Sequence, residues 1–115
     1  MANLNRTTLI GRLGHEPELR YTSGGTAVAT FTLATKEKIR STISGELEDK
    51  TEWHNIVLWD KLAEVASEHL VRSSTIYVEG RLQTTKWVSK SGSHRTITEI
   101  IVDSMQLLDK PATEV

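Results

Sequence analysis

The chain has 115 residues, 37% hydrophobic and 25% charged, which describes one soluble globular domain and excludes a fibrous or wholly disordered chain. It contains no cysteine, which excludes disulfides and thiolate metal sites, and no run of the ~18 apolar residues that a membrane span needs. The formal net charge is -1, so a nucleic-acid reading has to rest on where the charges sit and not on their sum.

The N-terminal Met1-Ala2-Asn3-Leu4-Asn5-Arg6 lacks the apolar centre of a secretory signal, and the expected location is cytoplasmic, at the nucleoid. Period-two alternation dominates the rest of the chain. Thr7–Leu13 predicts a first strand, with Gly11 marking a bend or bulge. Gly14-His15-Glu16-Pro17 is a break, and Gly24-Gly25 closes a connecting loop. Thr26–Thr35 predicts a second strand, with Ala27, Ala29, Phe31 and Leu33 on one face. Polar Lys36–Lys50, with Ser44-Gly45 at its middle, reads as a long hairpin loop. Thr51–Trp59 predicts a third strand. Asp60 suits the cap of a following helix, because its carboxylate can accept from the unpaired N–H groups of the first turn. Leu62, Val65, Ala66 and Leu70 then form an apolar stripe at helical spacing, and Ser73-Ser74 ends it.

Thr75–Trp87 predicts a fourth strand, Ser89–Ser93 a turn around Gly92, and Arg95–Leu108 a fifth strand. Residues 109–115 read as a short disordered tail after a domain spanning 1–108. The expected fold is therefore all-β: a five-stranded Greek-key barrel of the OB-fold layout, with one helix between strands 3 and 4.

Parity within the strands says where the aromatics point, because successive side chains face opposite sides of a sheet. In the third strand Trp53, Asn55, Val57 and Trp59 oppose His54, Ile56 and Leu58. In the fourth, Arg81, Gln83, Thr85 and Trp87 oppose Ile76, Val78, Gly80 and Leu82. A lone tryptophan usually belongs to the core. All three tryptophans lie on the faces that carry the polar residues, which favours an exposed base-stacking platform instead. From Arg81 to Thr98 the chain carries Arg81, Lys86, Lys90, Arg95 and His94 and no acid. Taken alone, that run is as consistent with a solvated loop as with a phosphate contact.

Thr51-Glu52-Trp53-His54, followed by Val57-Leu58-Trp59-Asp60-Lys61-Leu62-Ala63-Glu64-Val65-Ala66, resembles the family of bacterial single-stranded DNA-binding proteins. So do Leu9-Ile10-Gly11-Arg12-Leu13-Gly14 with Pro17 and Arg20-Tyr21, Phe31-Thr32-Leu33-Ala34-Thr35, Tyr77-Val78-Glu79-Gly80-Arg81-Leu82, Lys86-Trp87 and Thr98-Glu99-Ile100. The resemblance implies sequence-nonspecific binding and protection of single-stranded DNA in replication, recombination and repair. It implies base stacking at Trp53 and Trp87, and at Trp59, where the family commonly has phenylalanine. Arg6, Arg20, Lys61, Arg72 and Lys86 fall at or beside its phosphate contacts, with Arg81, His54 and Asn55 on the same DNA-binding strands. It also implies a homotetramer with DNA wound around the outside, and places His54 and Tyr77 at the oligomer interface.

The chain departs from the family at several points. Ile39 stands where many members have a further stacking tryptophan, so that platform is weakened. Asn55, Gln83 and Thr85 replace common basic residues, which predicts a shallower salt dependence. The chain stops at Lys110-Pro111-Ala112-Thr113-Glu114-Val115, without the family's acidic tip. Replication and repair proteins are therefore expected partners only if a longer natural chain carries it.

No cofactor, metal or catalytic residue is expected. His15, His54, His69 and His94 are scattered, Gly24-Gly25 lacks the Lys-Ser/Thr of a phosphate loop, and no serine has a Gly-x-Ser-x-Gly setting. A protein-interaction barrel would not need all three tryptophans, and an oligosaccharide-binding barrel would not need the basic companions.

Overall fold

The computed structural model describes residues 1–109. The elements run β1 (Thr7–Leu13), β2 (Glu18–Tyr21), β3 (Ala27–Arg40), β4 (Leu47–Trp59), α1 (Asp60–His69), β5 (Thr75–Val88) and β6 (His94–Leu107). The strand order is β1-β5-β6-β4-β3-β2. β4 runs parallel to β6, and the end of β1 also pairs with β3 through Arg12↔Ala34 and Leu13↔Leu33. β1, β5, β6, β4 and β3 thereby close into the five-stranded barrel that the element order predicts, with α1 between the third and fourth barrel strands in chain order. Closure depends on Gly11, because a Cβ there would run into the Ala34 carbonyl.

The inward parity builds the core. Phe31, Leu33, Ile56, Leu58, Ile76, Val78 and Ile100 are buried, each contributing roughly 1.5–3 kcal/mol of apolar burial. Ala63 and Ala66 pack the helix onto this cluster. They are fully buried, whereas Leu62 and Val65 of the expected stripe are only partly so. Leu70, also buried, is the residue that ends the helix.

Several expectations are corrected. Glu18–Tyr21, expected within a break and loop, is a sixth strand on the first part of β3. At four residues, with only Leu19 packed against the core, it is too short to show alternation. Lys36–Lys50 is largely ladder and not loop. β3 and β4 stay paired out to Arg40↔Leu47, leaving Ser41–Glu46 as the connection. That arm projects from the barrel with both faces exposed, so no apolar period marks it. Leu82 is 48% exposed although it shares parity with Ile76 and Val78, because the β1–β5 ladder ends at Thr7↔Gly80 and Leu82 lies beyond it.

Asp60 is not the helix cap. Trp59 holds that position in extended geometry without a side-chain cap bond, and Asp60 is the first helical residue at φ 56°. Aspartate is among the few residues that tolerate this left-handed conformation, and its charge still suits the helix N-terminus. Asp109, expected in the tail, accepts the Thr75 N–H at 2.6 Å. The remainder of that tail, 110–115, lies outside the described residues.

Candidate nucleic-acid interface

Residues paired across a sheet present their side chains to the same face, so the ladders can be read as rows around the outside of the barrel. One row is Arg20–Val28–Trp59. The next is Glu18–Thr30–Val57–Ile101–Arg81, followed by Thr32–Asn55–Glu99–Gln83. A further row runs Trp53–Ala34–Arg12–Thr75. On the β5–β6 arm the same outward set continues through Thr85↔Ile97 to Trp87↔Arg95. Val57 belongs to this face but is buried.

All three tryptophans are exposed: Trp53 by 57%, Trp59 by 41% and Trp87 by 47%. Trp53 and Trp59 are six positions apart on one strand, which is roughly 20 Å. Trp53 is seated by Gly14, where a Cβ would come within 2.6 Å of the indole Cζ3 and 2.8 Å of the Thr32 hydroxyl. Beside it opens a cleft of about 470 Å³ lined by Arg12, Lys36, Arg72 and Trp53. A smaller apolar cleft of about 170 Å³ lies by Trp87, with Lys86, His94 and Arg95 on its walls. Flat π-faces next to mobile cations can hold a base and its phosphate together, with no base-edge reader required.

A family model described as "Single-strand binding protein family" matches residues 4–108. The chain belongs to the single-strand binding protein family. Its fold is also similar to that of the Plasmodium falciparum SSB in its complex with ssDNA, at a TM-score of 0.86 and 38% identity. The similarity covers 95% of this chain and 98% of that one.

Within this family member, the expected site residues do not all converge. Arg20 stands in the Trp59 row, and its guanidinium is 3.1 Å from Glu18. Lys61 is exposed on the first turn of α1, two residues from Trp59. Arg72 lines the Trp53 cleft. Arg81 donates to Gln83 Oε1 at 3.0 Å on the outward face. Asn55 lies between the Trp53 and Trp59 rows, and its amide donates to the Thr98 carbonyl at 3.4 Å. Lys86 points to the other face of the β5–β6 arm from Trp87 by parity, yet reaches the same cleft.

Arg6 lies elsewhere. It donates to Glu79 at 2.6 Å on the β1–β5 wall, beside Tyr77. Hydrogen bonds from Arg6 and then Tyr77 hold the Glu79 carboxyl below the usual carboxylate range. Partial desolvation, followed by the Glu79 contact, raises the Tyr77 phenol. His54 faces inward and pairs its Nε2 with the Thr35 hydroxyl at 2.9 Å. Ile39 sits opposite Glu48, on the reverse face of the β3–β4 arm from Trp53.

Arg12 and Lys36, which the resemblance does not assign to DNA, also face the Trp53 cleft. Parity shows that Arg12 points outward, Lys36 falls where the sequence reads as loop, and only the β1–β3–β4 register shows that both meet Trp53. The platform also carries acids. Glu18 and Glu99 line a cleft of about 230 Å³ with His15 and Asn55, between the two β4 tryptophans.

Proposed function

We propose that this chain binds single-stranded DNA without sequence specificity and shields exposed strands during replication, recombination and repair. Bases stack on Trp53, Trp59 and Trp87, and phosphates are held by Arg12, Arg20, Lys61, Arg72, Arg81 and Lys86. The observation that carries this reading is the set of three exposed tryptophans, two on the outward face of the closed barrel and one on the β5–β6 arm, with Trp53 and Trp87 beside clefts walled by basic side chains. Each stacked base is worth about 1–3 kcal/mol and tolerates any sequence, because every base has a π-face. Membership of the single-strand binding family and similarity to an SSB that was solved with ssDNA support the same reading.

The working unit is a homotetramer. Support comes from the β1–β5 wall, where Ile10 is 58% exposed directly opposite half-buried Tyr77, on a surface the tryptophans do not use.

The test is titration of intrinsic tryptophan fluorescence with poly(dT). Strong quenching that weakens as salt rises supports the reading, and unchanged fluorescence overturns it. Incubating labelled single-stranded DNA with the protein and a divalent metal should leave the DNA intact.

A further inference from the structure

The β3–β4 arm is an unbroken antiparallel ladder from Ala34↔Trp53 to Arg40↔Leu47, so its two faces can be assigned residue by residue. One face continues from Trp53 and carries Lys36, Lys38 and Arg40 across from Thr51, Asp49 and Leu47. Its formal charge is three cations less one acid, +2. The other face carries Glu37, Ile39, Glu48, Lys50 and Glu52, which is one cation less three acids, -2. The arm is therefore neutral as a whole and strongly two-sided. Side chains on opposite faces of a two-stranded ribbon point away from each other, and with a Debye length of ~8 Å at physiological salt a ligand on one face senses mainly that face. Asp49 is the acid on the basic side, and it is already paired to Lys38 Nζ at 2.6 Å, with its carboxyl held low by that contact.

We propose that this arm guides single-stranded DNA along one face only. The strand leaves Trp53 over Lys36, Lys38 and Arg40, and the Ile39 face is closed to it by Glu37, Glu48 and Glu52. The inference rests on the proposed DNA-binding function and adds a route to it. It also gives Ile39 a physical setting: a residue on a face that repels phosphate gains nothing from being a good stacking platform.

The chain has no cysteine, so single thiols report cleanly. Ile39→Cys and Leu47→Cys put one on each face at exposed, uncharged positions, leaving the arm's charges intact. Each full-length variant is alkylated with iodoacetamide, with and without saturating dT oligomer. Because thiol modification follows access, DNA should slow the Leu47→Cys reaction about fivefold or more and change the Ile39→Cys reaction by less than about twofold. Equal protection, or stronger protection at position 39, overturns the one-sided route. Tryptophan quenching is recorded on the same samples. Its absence overturns the DNA-binding reading and the route with it, whereas quenching with equal protection overturns the route alone. In parallel, Lys36→Gln/Lys38→Gln/Arg40→Gln should lower the slope of log affinity against log salt by about 2, at roughly 0.7 per single-strand phosphate contact. Glu37→Gln/Glu48→Gln/Glu52→Gln should leave that slope unchanged, and equal slope changes in the two triple variants also overturn the proposal.

Discussion

At the scale of single residues, Trp53 is the most informative side chain. Its indole is exposed, seated on Gly14 and flanked by Arg12, Lys36 and Arg72, so it can stack a base where cations can take the phosphate. Trp53→Ala should weaken binding of a dT oligomer by about 1–3 kcal/mol, and Ile39→Ala by much less. Fluorescence anisotropy of a labelled oligomer measures both without relying on the tryptophan signal. Equal losses would mean that the two faces of the arm are not distinguished. Gly14→Ala is the companion test. A methyl group 2.6 Å from the ring has to push the indole aside, so affinity should move toward that of Trp53→Ala while Trp53 itself is retained. The tryptophans were legible in the sequence because parity is a property of one strand. Arg12 and Lys36 were not, because their meeting with Trp53 is a property of three strands and their register. Arg6 shows the converse: assigned to phosphate by resemblance, it is placed by the fold against Glu79.

At the scale of elements, the strands whose inner face is buried could be read, and those exposed on both faces could not. β1, and β5 up to Gly80, alternate because water lies on one side and Ile76, Val78 and Leu13 lie on the other. The β3–β4 arm has water on both sides, so charged residues occupy both and the segment resembles a loop until its ladder is seen. The Arg6–Glu79 pair ties the segment before β1 to β5 and makes a prediction at this scale. A carboxyl whose folded pKa is depressed adds stability above its unfolded value, ~4.3 for glutamate, and that stability is lost as pH falls through the lower folded value. The melting-temperature advantage of the native chain over Glu79→Gln should therefore be present at neutral pH and shrink as the solution is acidified below the ordinary glutamate range. In an Arg6→Ala background the same substitution should show a much weaker pH dependence. Thermal unfolding across a pH series measures both, and a gap that does not change with pH would show that the ion pair does not hold in solution.

At the scale of the whole molecule, a chain of net charge -1 can bind a polyanion only if its charges are segregated, and on the β3–β4 arm the row assignments separate them by face. The β1–β5 wall, with Ile10 opposite Tyr77 and Tyr77 next to Gln106, is the surface proposed for self-association. A closed, symmetric assembly reuses one such patch on every copy. Light scattering should give about 52 kDa, four chains of 12.9 kDa. Ile10→Glu should lower that mass, because it sets a charge into each repeated contact. Separating the copies should barely change affinity for a dT oligomer short enough to contact one barrel, since Trp53, Trp59 and Trp87 stay exposed on each chain. Long dT should suffer far more. When several barrels share one strand, each later contact is intramolecular, and such linkage raises avidity by about 10²–10⁴ without any new contact. If the variant keeps its mass, the wall is not the interface. If it becomes smaller yet binds long and short dT as the native chain does, assembly plays no part in holding the strand.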